Sequence, residues 1–238
     1  MIRLGIAAES TGDATLITGL VDRVLLDEHD WVTDDTLDDY RVWGGLGVGT
    51  FLDLHRAKRE AKDRRLRIHG HFDGDSGEAD AQMFRAVLLL FLAEDDVPEV
   101  VVISRDLDGD EDRAKGFEQA LAHKTWPFPV VPALARPEIE GFRLLAWRPE
   151  TEAETKALAA ARQRLGFCPT RSPERLTSKK PTDPKDAKTV KQSLCDEDNR
   201  WEEAWRRADL RTLQEAGEGC GLARLLREAR KALNPSAL

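Results

Sequence analysis

Val100-Val101-Val102-Ile103-Ser104-Arg105-Asp106-Leu107-Asp108 is the stretch that decides the fold. A short, β-branched apolar run reads as a buried strand. Its charged end marks where the chain leaves the sheet. In open α/β sheets, ligands collect outside the carboxyl ends of such strands. Carboxylates placed there cost desolvation energy unless they hold something, and hard oxygen ligands of this kind suit a divalent metal. If the strand conformation persists through Asp108, alternation sets both carboxylates on one side.

The pattern repeats outward from this strand. Ile2-Arg-Leu-Gly-Ile-Ala-Ala8 is an apolar opening strand that ends in Glu9-Ser-Thr-Gly-Asp13. Leu16, Ile17, Leu20, Val21, Val24 and Leu25 stand at helical spacing and predict a helix over 11–27, with Ser10 or Thr11 as its cap. A short strand is expected at Arg41-Val-Trp43, a charged helix over 50–64 and a strand over 66–71. The helix over 78–94 is apolar on all sides in its second half and is therefore expected to be buried. A helix over 110–123, a strand over 129–134 and a helix over 137–147 complete the alternation. Strands alternating with helices imply a parallel sheet of βαβ units. Past about residue 150 the pattern turns helical, over 152–165 and 221–233, around a Pro-, Ser- and Lys-rich stretch at 168–185. The expectation is an α/β domain over 1–150, with a mainly parallel sheet flanked by helices. A helical extension carrying a Lys-rich loop follows over 151–238.

A chain of 238 residues suits one large domain with an appended part. The net charge of −8 means that the whole chain is not drawn to nucleic acid, so any such contact needs a local basic patch or a bridging metal. Cys168, Cys195 and Cys220 show neither zinc-ligand spacing nor a disulfide framework, which suits a reducing cytoplasm. The opening MIRLGIAAES lacks the apolar core of a signal peptide, and the apolar run at 86–93 is too short to span a bilayer. A cytoplasmic protein without membrane contact is expected. Charge is uneven along the chain. Asp27, Glu28, Asp30, Asp34, Asp35, Asp38 and Asp39 cluster near the start, whereas 171–191 is locally basic.

Ile6-Ala-Ala-Glu9-Ser-Thr-Gly12-Asp13, followed by Ile103-Ser-Arg-Asp106-Leu-Asp108-Gly109, resembles the Toprim domain, the metal-binding module of topoisomerases, primases and OLD-type nucleases. Pro137-Glu138-Ile-Glu140-Gly-Phe142-Arg-Leu-Leu145 is similar to a segment of small Toprim-like proteins encoded beside ATPases. The match covers roughly residues 1–150. It departs from the pattern at Arg105, where an aliphatic residue is usual, and in the Ser-Thr-Gly turn after Glu9.

The resemblance implies a Rossmann-like Toprim fold and a metal-dependent nuclease acting on DNA or RNA. Asp106 and Asp108 would hold Mg2+ or Mn2+, with Glu9 as a further ligand or the general acid/base. Asp13, Glu140 and Glu138 could hold a second ion. Lys188, then Lys185, would neutralise charge on the phosphoryl group, with Lys179 and Lys180 of the same stretch contacting substrate. The resemblance further implies an ABC- or AAA-type ATPase subunit as partner in an anti-phage or DNA-maintenance system, and leaves room for a homo-oligomer. Apart from the resemblance, Arg85 on its apolar helix, and Arg105 beside the acids, either pair with an active-site acid or a substrate phosphate or keep their guanidiniums at the surface. The other readings are a non-catalytic interaction subunit and a phosphatase or phosphotransferase for small esters.

Other signals are weaker. Gly44-Gly-Leu-Gly-Val-Gly49 lacks the Gly-Lys-Ser/Thr ending of a P-loop and reads as a turn. Asp106-Leu-Asp-Gly-Asp110-Glu-Asp112 has Glu111 where an EF-hand needs glycine, and Phe117 where it needs the final ligand. His69-Gly-His71, with Asp73 and Asp75, lacks a third clear metal ligand and reads as structural. Trp201 and Trp205 share a helix face and are expected in the core.

Overall fold

A computed structural model describes every residue except Val48, Asp73, His123, Ser178, Lys179, Pro181 and 235–238. In chain order the elements are β1 (Ile2–Ala8), α1 (Thr11–Glu28), α2 (Leu37–Tyr40), β2 (Arg41–Gly44), β3 (Leu52–Asp53) and α3 (Ala57–Asp63). Next come β4 (His71–Phe72), β5 (Asp75–Ser76), α4 (Ala81–Leu92), β6 (Val100–Asp106), α5 (Asp112–Ala122) and β7 (Val130–Ala135). The helices α6 (Glu140–Ala146), α7 (Glu152–Leu165), α8 (Ala187–Leu194), α9 (Asp198–Arg207), α10 (Leu210–Ala216) and α11 (Leu222–Leu233) follow.

The fold is α/β with a mainly parallel central sheet in the order β2-β1-β6-β7, and β3 also pairs with β1. Parallel registers run Ile2↔Arg41 to Gly5↔Gly44 and Leu4↔Val100 to Ala7↔Ile103. The carboxyl ends of β1 and β6 therefore lie at one edge of the sheet. Val100 to Ile103 are buried, as parallel strands covered on both faces must be. By contact the chain divides into two compact units, one of residues 1–104, 110–132 and 228–238, the other of 105–109 and 133–227.

In the first unit, Ser10 caps α1 by accepting from the Asp13 N–H, at 3.2 Å. The helix buries Leu16, Ile17, Leu20, Val21, Val24 and Leu25, the stripe its spacing predicts. Apolar on nearly every side, α4 buries Phe84, Ala86, Val87, Leu88, Leu90 and Phe91. It packs on α5 through the edge-to-face pair Phe84–Phe117, with ring centroids 5.2 Å apart. Gly116 on α5 lets the backbones approach: a Cβ there would stand 2.0 Å from the Ala79 carbonyl oxygen. Gly116→Ala is expected to cost about 3 kcal/mol of stability, measured by urea unfolding, because backbone must move to relieve the overlap.

Two expected elements differ. The helix over 50–64 shortens to α3, since 52–53 pair with β1 instead. Residues 66–70 are not in a strand, and His71 instead opens the small β4–β5 hairpin. The cause is Arg85: its Nη1 donates to the His69 and His71 carbonyls, and its guanidinium stacks over Phe72, 3.5 Å from the ring centroid. Those carbonyls are thereby committed to a buried cation, not to a neighbouring strand.

The second unit is built on α6, against which α8, α9 and α10 pack. Its core joins Leu144, Trp147, Phe167, Leu176, Val190, Leu194 and Trp201, with the Trp147 and Trp201 rings stacked 5.4 Å apart. Gly221, at φ +96°, lies against β7: a Cβ there would stand 2.2 Å from the Leu134 carbonyl oxygen. No helix among the described residues is long and apolar enough to cross a membrane.

Candidate metal centre

The strand β6 ends at Asp106, and the segment after β7 folds back onto that end. Leu107 N–H bonds to the Ala135 carbonyl at 2.9 Å and Asp108 N–H to the Pro137 carbonyl at 2.8 Å. Asp106 Oδ1 in turn accepts the Ile139 N–H at 2.9 Å. These bonds fix Glu138 and Glu140 beside Asp106. One carboxylate oxygen from each of the three lies within 4.8 Å of the others.

Glu138 is buried, at 2% exposure. Its Oε2 meets Lys188 Nζ at 3.2 Å, whereas its Oε1 and Glu140 Oε2 are shielded from solvent with no hydrogen-bond partner among the described residues. A buried oxygen left unmatched is costly. Two such oxygens, in a set of three converging carboxylates, fit a divalent cation, because hard cations prefer carboxylate oxygens. The cluster could hold such an ion. Without one, burial first, then the charge of Glu140, pushes the Glu138 carboxyl up to about 7, against the pull of Lys188. Burial draws the Lys188 ammonium down, but Glu140 and Glu138 outweigh it and the net shift is upward.

Lys188 reaches this point because α8 is pinned at its start. Asp186 caps α8 by accepting the Thr189 N–H at 2.8 Å, and Thr177 bonds to Lys185 and Ala187 through backbone at 2.8 and 2.9 Å. Ala187, Val190 and Leu194 face the core, which turns Lys188 outward. Asp186→Ala is expected to cost about 1–2 kcal/mol in urea unfolding, as for other lost caps.

The expected site residues thus separate. Asp106, Glu138, Glu140 and Lys188 are brought together. Asp108 stands outside the group of three: β6 ends at Asp106 and Asp108 has φ +53°, so strand alternation does not carry through to it. Glu9 follows β1 and meets His55 Nε2 at 3.8 Å, and Asp13 lies in the first turn of α1; both belong to the first unit. Arg105 directly precedes Asp106 on β6, and Arg85 binds backbone as described above. Lys180 and Lys185 are exposed in the turn before α8, and Lys179 lies outside the described residues.

Two features were not anticipated. One is the Asp186 cap. The other is a cavity of about 260 Å3 lined by Glu140, Lys188, Lys191, Gln192, Cys195, Asp196 and Asp198. Positions 188, 191, 192 and 195 follow helical spacing, a signal that was readable in the sequence.

No family model, curated protein or solved structure matches the chain.

Proposed function

We propose that the chain is a Mg2+- or Mn2+-dependent phosphodiesterase that hydrolyses DNA or RNA, with Asp106, Glu138 and Glu140 as the metal-binding set. The observation that supports this reading most is the pair of unmatched carboxylate oxygens, Glu138 Oε1 and Glu140 Oε2, within that set. A bound ion would neutralise charge on the phosphoryl group and help to generate the attacking hydroxide.

The protein's own residues would do the rest. Asp106, held by the Ile139 N–H, orients one face of the set. The set binds metal once Glu138 gives up the proton that burial lets it keep near neutral pH. Lys188, which pairs with Glu138 at 3.2 Å, would exchange that partner for a non-bridging phosphate oxygen. Lys191 and Gln192, in the adjoining cavity, would hold the flanking backbone by exchanging Asp198 and Asp196 for phosphate oxygens. The attacking water would give a proton to solvent as its oxygen bonds to phosphorus, the ester P–O bond would break, and the leaving alkoxide would take a proton from solvent. An ATPase subunit that grips nucleic acid would supply the affinity that a chain of net charge −8 lacks.

The test is incubation of purified protein with plasmid, single-stranded DNA and RNA, with Mg2+, Mn2+ or EDTA. Cleavage that needs the metal and is lost in Lys188→Met supports the proposal. Metal binding with activity only on a small ester such as p-nitrophenyl phosphate would replace it with a phosphatase.

A further inference from the structure

Gly44, Gly45, Gly47 and Gly49 line the wall of a cavity in the first unit. The space is about 310 Å3 and is bounded by Arg3, Gly5, Gly44, Phe91, Glu94 and Pro98. Its charges are already matched. Arg3 pairs with Asp96 at 2.9 Å, and Glu94 accepts the Gly47 N–H at 2.8 Å and pairs with Arg64. The Gly47 amide therefore holds a carboxylate, and the larger part of the open wall is apolar.

The cavity adjoins an open sheet edge. Among the described residues β2 pairs with β1 alone, and Val42 is 40% exposed. Nothing lies within 4 Å of where a Gly44 Cβ would stand. Register puts that position beside Gly5, whose Cβ would meet Phe91 and Pro98, so it faces the cavity.

Just before β2 stands an exposed aromatic corner. Trp31 is 67% exposed and packs edge-to-face on Tyr40, with ring centroids 4.7 Å apart. Close by in sequence, Asp34, Asp35 and Asp39 are exposed and make no ion pair among the described residues.

We propose that this edge docks an extended, basic segment of a partner protein. The segment adds a strand beside β2, inserts one large apolar side chain into the cavity, and sets lysines or arginines against Asp34, Asp35, Asp39 and the Trp31 ring. Three features converge on this partner. An unpaired edge offers backbone hydrogen bonds. A cavity of this size accepts a single anchor. The uncompensated acids select positive charge. They also disfavour a second copy of the chain, which would bring the same acids face to face, and they repel nucleic acid. The inference is independent of the metal centre.

Fluorescence anisotropy with a labelled heptapeptide, phenylalanine at its centre and valines alternating with lysines or arginines around it, tests the proposal on the full chain. Saturable binding is expected, and it should weaken at least about tenfold, or 1.4 kcal/mol, in Gly44→Leu, which fills the cavity. Trp31→Ala should weaken it too, and reversing Asp34, Asp35 and Asp39 to lysine should remove its salt dependence. Replacing the peptide's basic residues by glutamate should abolish binding. No binding at about 1 mM peptide, or binding indifferent to all three changes, overturns the proposal. A dimer by light scattering that Gly44→Leu dissociates assigns the edge to a second copy, and overturns it as well.

Discussion

Asp106→Asn is expected to abolish metal binding and metal-dependent cleavage while leaving the fold nearly intact. The asparagine oxygen can still accept the Ile139 N–H that Asp106 Oδ1 accepts at 2.9 Å, so the link between the end of β6 and the segment leading into α6 survives. What disappears is a negative charge in a set of three carboxylates. Changes to residues that merely support metal ligands cost roughly 10–100-fold in affinity. Loss of a ligand's charge should cost at least about 100-fold, with unfolding stability changed by less than about 1 kcal/mol. Metal titration paired with urea unfolding of the same variant checks both halves. A variant that unfolds without metal-linked effects would reduce Asp106 to a structural cap.

Glu138→Gln should do the opposite to stability: the metal-free protein becomes more stable, most of all above neutral pH. Glu138 titrates near 7 in the folded chain against an ordinary 4.5. Between those values the unfolded chain releases a proton that the folded chain retains, so native stability falls as pH rises through the window. Above pH 7 the whole penalty applies; well below 4.5 it vanishes. The difference corresponds to about 3 kcal/mol, and glutamine removes the penalty because it carries no charge to desolvate. Thermal melts in EDTA should show a gain in Tm of roughly 5–10 °C near pH 8 that shrinks toward acid pH. Added Mg2+ or Mn2+ should stabilise the natural protein but not the variant. This pattern, stability gained as function is lost, is what a site strained to hold a ligand produces.

The strands and helices that decide the fold are written in local patterns. Val100 to Ile103 and the α1 stripe need only their own spacing to be read. The strand expected at 66–71 misleads because its carbonyls are claimed by Arg85, from a helix later in the chain. The site divides in the same way. Asp106, Glu138, Glu140 and Lys188 are visible as residues of the right chemistry. That Lys188 reaches Glu138 across fifty positions of sequence depends on the Asp186 cap and the packing of α8 on α6, which no local pattern encodes. Asp108 shows the limit of alternation as a guide: two residues past the strand's end, the backbone turns to φ +53° and the rule no longer applies.

Calorimetric titration of Mn2+ into EDTA-stripped protein, repeated in buffers of different ionisation enthalpy, tests whether Asp106, Glu138 and Glu140 hold a metal ion. Saturable binding is expected near neutral pH, accompanied by proton release as Glu138 ionises and lost in Asp106→Asn. Absence of binding at millimolar metal, or binding that persists unchanged in Asp106→Asn and Glu138→Gln, would contradict that assignment.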